Sequence, residues 1–212
     1  MPLIEKKHID ENTQFALWDI SETSEELLEI SNLPDFELEN IVKIKNNIIK
    51  NQKIAVRLLV HELLGENVYI KYNHNKAPLL NTDAYHISIT HSSNYAAVII
   101  STKNRPGIDI ETINDKILKI ENKFLSAKES QSIKNNRKIK LLLYWNAKET
   151  IYKILNSRNI NYRNDIYVSP FDLENNGEII AYYKSNNKNS IFKLNYKVTD
   201  KYTLTWCNDY NL

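Results

Sequence analysis

Two short segments constrain this chain more than any others: Gly107-Ile108-Asp109-Ile110-Glu111, and the later run Trp145-Asn146-Ala147-Lys148-Glu149-Thr150-Ile151-Tyr152-Lys153. The first reads as a strand. Asp109 and Glu111 are two apart, so their carboxylates point to the same face. The second reads as a helix, in which Glu149 and Lys153, four apart, share one side. If this strand and helix pack together, three carboxylates converge beside at least one ammonium. Such a set holds a divalent hard cation next to a phosphate.

The remaining sequence narrows the alternatives. With 212 residues, 42% hydrophobic and 25% charged, the chain suits one large globular domain or two small ones. Its net charge of +2, from 28 basic and 26 acidic residues, argues against a polybasic binder of nucleic acid. One cysteine, Cys207, excludes an internal disulfide framework and a cysteine-based zinc site. No apolar run reaches transmembrane length, and the start Met1-Pro2-Leu3-Ile4-Glu5-Lys6-Lys7 has no signal-peptide core. The expectation is a cytoplasmic protein without a membrane partner. Only three glycines occur, and neither a Walker A loop nor a dinucleotide fingerprint is present.

Periodicity divides the chain into helices and strands. Residues 3–20 read as extended, 22–30 as a short helix, and 36–64 as a longer helical stretch broken near Asn46-Asn47 and stopped at Gly65. Alternation marks strands at Val68–Tyr72 and Tyr85–Thr90, and Tyr95–Ile100 is a buried-type strand. Asn73–Pro78 reads as a turn. The second half repeats this order loosely, with helices at 114–124, 126–134 and 138–156 and strands at 178–184, 190–198 and 201–207. Lys184–Asn189 reads as a polar loop. The expected class is α+β, two similar halves each with helices and a short antiparallel sheet. The boundary is expected at 102/103, giving an N-terminal half 1–102 and a C-terminal half 103–212 that carries the acids.

Each candidate residue has an ordinary reading beside the functional one. Asp109 and Glu111 fit an exposed edge strand, but Ile108 and Ile110 demand a buried opposite face. Glu149 and Lys153 fit a helix-surface pair worth roughly 0.2–0.5 kcal/mol. Lys148 alone reads as solvated and Trp145 as core. His91, after an apolar strand, reads as a structural histidine or as a donor to a phosphate oxygen. Lys43, Lys45, Lys50, Lys53 and Arg57 read as a basic helix face, either solvated or anchoring an anion. His61-Glu62-Leu63-Leu64-Gly65 lacks the second histidine of a zinc-protease helix.

Taken in order, the blocks resemble the 4′-phosphopantetheinyl transferase superfamily, in its branch with two halves in one chain that activates peptide and polyketide synthases. His86-Ile87-Ser88-Ile89-Thr90-His91-Ser92, Gly107–Glu111 and Trp145–Lys153 carry the likeness, with weaker support from Ala55-Val56-Arg57-Leu58-Leu59. The resemblance implies a pseudo-twofold α+β fold with the active site between the halves. It implies coenzyme A as donor, Mg²⁺ as the ion with Mn²⁺ tolerated, and a serine of an apo acyl-, peptidyl- or aryl-carrier protein as acceptor. A monomer is implied by the fused halves.

By the same resemblance, Asp109, Glu111 and Glu149 match metal-binding acids, and Glu149 also matches the general base. Lys148 and Lys153 match lysines that contact the phosphates of coenzyme A, and Asp109, Glu149 and Lys153 form the catalytic set. His91 matches a phosphate-binding histidine, and Thr90 stands where serine is common. Trp145 matches an aromatic that supports the helix. The family's Gly-Lys-Pro turn reads here as Lys76-Ala77-Pro78, with the lysine one place early. Arg57 and Lys53 are candidates for the 3′-phosphate. The alternative expectation is a non-catalytic coenzyme A or carrier-protein binding module.

Overall fold

In the computed structural model, which describes residues 3–74, 76–157, 159–185 and 188–211, the chain divides into two compact units, Met1–Arg105 and Pro106–Leu212. Both are α+β with antiparallel sheets.

The first unit opens with the hairpin β1 (Leu3–His8) and β2 (Thr13–Asp19), where the sequence reads extended. Thr23 and Glu26 form a capping box that starts α1 (Ser24–Ser31). The long helical stretch is two helices, α2 (Asp35–Val42) and α3 (Asn47–Leu64). The break falls at Asn46, whose side chain caps α3 by accepting from the Ile49 amide. Gly65 ends α3 at φ +88°, a backbone conformation that side chains disfavour. A two-stranded ribbon follows, β3 (Ile70–Tyr72) with β4 (Pro78–Leu80), and then β5 (His86–Ser92) and β6 (Tyr95–Ser101). The sheet order is β1-β2-β6-β5, and α3 packs across β6 and β2 with α1 against it. Ile54, Leu59 and Leu63 of α3 meet Ala16, Val98 and Ile100 of the sheet in one core.

The second unit begins with β7 (Gly107–Thr112) and passes through α4 (Lys116–Phe124), α5 (Ala127–Ser132) and α6 (Arg137–Leu155). It then forms β8 (Ile166–Val168), β9 (Asn176–Ser185), β10 (Lys188–Val198) and β11 (Tyr202–Asn211). The sheet order is β7-β11-β10-β9-β8, so the first strand of this unit pairs with the last. Strands β4 and β8, three residues each, are additions to the sequence reading; runs that short carry little periodicity. Residues 75, 186 and 187 lie outside the described residues, and with them the middle of the expected turn at 73–78 and of the expected loop at 184–189.

Helix α6 is buried on more than one side: Leu141, Leu142, Leu143 and Tyr144 in succession are at most 2% exposed. A helix apolar over so much of its circumference belongs inside a domain. It packs against β7 and β11, and also against α4, β8 and β10. Gly107 permits the approach. A Cβ there would run into the Thr150 carbonyl oxygen and lie 2.9 Å from Ile154 Cγ1. Replacing Gly107 by Ala should therefore push β7 from α6 and cost about 1–3 kcal/mol, the usual range for overpacking. Urea denaturation measures this; an unchanged midpoint would mean that the strand and helix are not closely apposed.

Candidate active site

The site is built on β7 and α6. Alternation along β7 places Gly107, Asp109 and Glu111 on one face, and α6 covers that face. A polar seam fixes the register of helix on sheet. The Asn146 amide donates to the Thr203 carbonyl at 3.0 Å and to Thr203 Oγ1 at 3.1 Å. One helical turn on, the hydroxyls of Thr150 and Thr205 are 2.6 Å apart. Thr203 and Thr205 lie on β11 opposite Glu111 and Asp109. All four seam residues are fully buried, so each hydrogen bond also avoids the cost of leaving a polar group dry.

Lys153, two turns beyond Asn146, continues the seam. Its Nζ donates to Asp109 Oδ1 at 2.7 Å and to the Ile108 carbonyl at 2.8 Å. Trp145 Nε1 donates to Glu111 Oε1 at 3.2 Å. The Trp145 ring in turn meets Phe124 edge-on at a centroid distance of 5.3 Å, and Tyr162 at 5.7 Å. The aromatic expected in the core is thus half-buried and holds one of the acids.

Glu149 lies near the phenol of Tyr162 and within electrostatic reach of Asp109, Lys153 and Glu111. Burial and the neighbouring Asp109 push its carboxyl up to about 7, against the opposing pull of Lys153. The Tyr162 hydroxyl is held protonated by burial and by the nearby Glu149.

These contacts bear on whether a cation fits. Among the described residues no three such side chains surround one point that could hold a metal ion. Direct partners already occupy two of the acids: Lys153 sits on Asp109, and Trp145 on Glu111. The donor chemistry nevertheless suits Mg²⁺, which takes hard oxygens and keeps several waters. Three carboxylates face one ammonium, and their surplus negative charge adds to burial in raising Glu149. A divalent cation would relieve it.

Lys148, next to Glu149 in sequence, faces the other way. The expected phosphate contact is corrected by its position: the side chain is 0% exposed. Its ammonium meets the carbonyls of Phe124 and Tyr162 at 2.8 Å and of Ile166 at 2.7 Å, and Glu129 Oε1 at 2.8 Å. An ammonium has three protons, so these acceptors exhaust it. Nor is it the solvated lysine that its type suggests. Burial pulls its pKa down while Glu129 opposes the shift. Glu129 also accepts from the Ser126 amide and hydroxyl in a capping box and from the Val168 amide. One buried pair therefore ties α4, α5, α6, β8 and the loop at Tyr162 together.

The other candidates lie in the first unit. Thr90 is buried and His91 exposed, adjacent on β5. Lys76 is exposed, with φ +62°, and its amide donates to the Asn73 carbonyl. Arg57, a candidate for the 3′-phosphate, is corrected. It is 8% exposed, and its Nε donates to Glu37 Oε2 at 2.9 Å, joining α3 to α2. The basic face reads differently too: Lys43 and Lys45 precede α3, Arg57 turns inward, and Lys53 stays exposed.

Residues 105–207 match the family model described as the 4′-phosphopantetheinyl transferase superfamily. This part of the chain belongs to that superfamily. The match starts beside the boundary between the units and covers β7, α6 and every acid of the site. The match indicates a transferase of the phosphopantetheinyl type, and that family generally uses coenzyme A as co-substrate. No curated protein matches the chain in a sequence comparison. Among the described residues no helix is long and apolar enough to cross a membrane.

Tyr162 and Glu129 belong to this site although the sequence reading did not include them. Ser126-Ala127-Lys128-Glu129 is a capping-box pattern and signals Glu129 as a cap. Nothing local signals its pairing with Lys148 or the place of Tyr162 near Glu149.

Two stability measurements test this geometry. Lys148→Met should destabilise the protein by about 3–5 kcal/mol, because Glu129 is left charged and buried; wild-type stability in urea would contradict the ion pair. Glu149→Gln should act oppositely with chelator present. A carboxyl raised in the folded state costs nothing below the unfolded pKa near 4.5, and its penalty grows until the pH passes about 7. The variant should thus match wild type at pH 4 and exceed it by about 1–3 kcal/mol at pH 8. A constant difference across that range would contradict the coupling.

Proposed function

We propose that this protein transfers the phosphopantetheine arm of coenzyme A to a serine of an apo acyl-, peptidyl- or aryl-carrier protein, with Mg²⁺ as its ion. The observation that carries the reading is the gathering of Asp109, Glu111, Glu149 and Lys153 on β7 and α6, inside the segment matched to the family. Asp109, Glu111 and Glu149 would hold the ion. When bound, it would neutralise the diphosphate and stabilise charge on the oxygens of the transferring phosphoryl group.

The reaction is an exchange at one phosphorus. The serine oxygen bonds to the phosphorus bearing the pantetheine arm, and the bond from that phosphorus to the bridging oxygen breaks. Adenosine 3′,5′-bisphosphate leaves. Such transfers depend on positioning and on positive charge around a spreading negative one. Glu149 takes the serine proton. A carboxyl poised near neutral pH is better matched to that task than one of ordinary acidity. Lys153, already anchored at Asp109, supplies a compact charge for a phosphate oxygen once the acid has another partner. Thr90 and His91 are the residues we assign to coenzyme A from the first unit, with the exposed Lys76 and Lys53 as further basic candidates.

Intact mass spectrometry tests the reading directly. An apo-carrier incubated with this protein, coenzyme A and Mg²⁺ should gain one phosphopantetheinyl group, and chelator should prevent the gain. Glu149→Gln and Asp109→Asn should each lower the rate by at least roughly 100-fold. Wild-type rates in either variant would refute the assigned roles. Coenzyme A binding without transfer to carriers of several types would point to a binding module instead.

A further inference from the structure

We infer that Trp145 is a positioning residue for Glu111: its indole N–H fixes the carboxylate near the end of β7 in the orientation that receives a divalent cation. This rests on Glu111 being a metal-binding acid, as proposed above. Trp145 Nε1 donates to Glu111 Oε1 at 3.2 Å. The next residue of the helix secures the backbone beneath that carboxylate. Asn146 donates to the carbonyl and the hydroxyl of Thr203 at 3.0 and 3.1 Å, and Thr203 is the β11 partner of Glu111. Consecutive residues of α6 thus hold one rung of the sheet, Asn146 at the backbone of Thr203 and Trp145 at the acid opposite.

The ordinary reading of such a tryptophan is core packing, and its surroundings argue for more. Trp145 is half-buried and, with Ile120, Lys123 and Ile160, borders an open cavity of about 470 Å³. A ring placed for burial alone would lie inside, as the preceding Tyr144 does at 1% exposed. The single N–H of the indole is spent on a carboxylate instead of water. Glu111 has use for such a partner. Asp109 is 5% exposed and lies deep in the seam, whereas Glu111 is half-buried and one residue from the end of β7. A glutamate side chain there has several rotatable bonds, and ordering them before the cation arrives removes that cost from binding. The indole is itself well fixed: Phe124 meets it edge-on at 5.3 Å and Tyr162 lies at 5.7 Å. It is also neutral. Lys153 on Asp109 rivals a cation for negative charge, but an indole N–H does not. A carboxylate offers about four lone-pair sites, so Glu111 can accept from Trp145 and ligate at once. Partners that hold ligating side chains in this way typically govern metal affinity by roughly 10–100-fold.

Calorimetric titration with Mn²⁺, without coenzyme A or carrier, tests this on wild type, Trp145→Phe, Glu111→Ala and the double variant. Phenylalanine keeps an aromatic ring at the position and removes the donor. Trp145→Phe should bind Mn²⁺ roughly tenfold more weakly, and Glu111→Ala should weaken binding further. The double variant should bind no more weakly than Glu111→Ala, since the indole then has nothing to hold. A Trp145→Phe loss that persists undiminished beside Glu111→Ala would make the tryptophan a packing residue and overturn the proposal. Wild-type affinity in Trp145→Phe, with Glu111→Ala weakened, would overturn it too and leave the metal reading standing. Wild-type affinity in Glu111→Ala would remove Glu111 from the metal-binding acids, and the positioning role with it. Should Trp145→Phe fail to fold, NMR of the Trp145 indole N–H decides. The wild-type signal should stay protected from exchange as Mg²⁺ is added, and protection should be lost in Glu111→Ala. A signal that exchanges freely once Mg²⁺ binds, or that Glu111→Ala leaves protected, would overturn the proposal.

Discussion

A lysine ammonium with no exposure to water is the interaction on which the second unit depends. Placing an ion there costs several kcal/mol before any partner is counted. Lys148 meets that cost with Glu129 and three backbone carbonyls, drawn from the end of α4, the loop after α6, and β8. Those segments also share the hydrophobic core of the unit. The buried pair gives them one shared anchor point, and it lies one residue from the acid of the site. What would be a weak argument for stability is a good one for placement: the pair specifies where α5, β8 and the Tyr162 loop must lie relative to α6.

From that anchor the site follows in two directions along α6. Toward the sheet, Asn146 and Thr150 bond the threonines of β11, and Lys153 ends the series on Asp109. Toward the loop, Trp145 donates to Glu111, and Tyr162 lies near Glu149. Asp109 and Glu111 are therefore held by different partners, and the mutual repulsion of the three acids is left unbalanced by the single ammonium of Lys153. Burial adds to that imbalance at Glu149, whose carboxyl is pushed up to about 7. The arrangement has the character of a receptor for positive charge. The match of residues 105–207 to the phosphopantetheinyl transferase superfamily gives that character its chemical context.

Much of this was legible in the sequence because it depends on local periodicity. The alternation in Gly107–Glu111 specifies a strand with both acids on one face, and the four-residue spacing of Glu149 and Lys153 puts them on one side of α6. The break in the first helical stretch is written in Asn46, a capping residue, and its end in Gly65. What failed was the direction of adjacent cations. Lys148 and Lys153 are chemically alike and lie on one helix, yet the former turns toward Glu129 and the latter toward Asp109. That difference is set by which elements pack on which side, and no local pattern encodes it. Arg57 misled for the same reason, since its partner Glu37 is on another helix. Tyr162 carried no signal at all, being one aromatic in a polar loop.

The account's central claim is a division of labour: Lys148 builds the site and Lys153 works in it. NMR of the lysine ammonium groups, followed as Mg²⁺ and coenzyme A are added, tests that most directly. A slowly exchanging Lys148 signal should persist unchanged, since its partners are all internal, while the Lys153 signal should move as it leaves Asp109 for a phosphate. A Lys148 signal that shifts with coenzyme A while Lys153 stays fixed would contradict the claim.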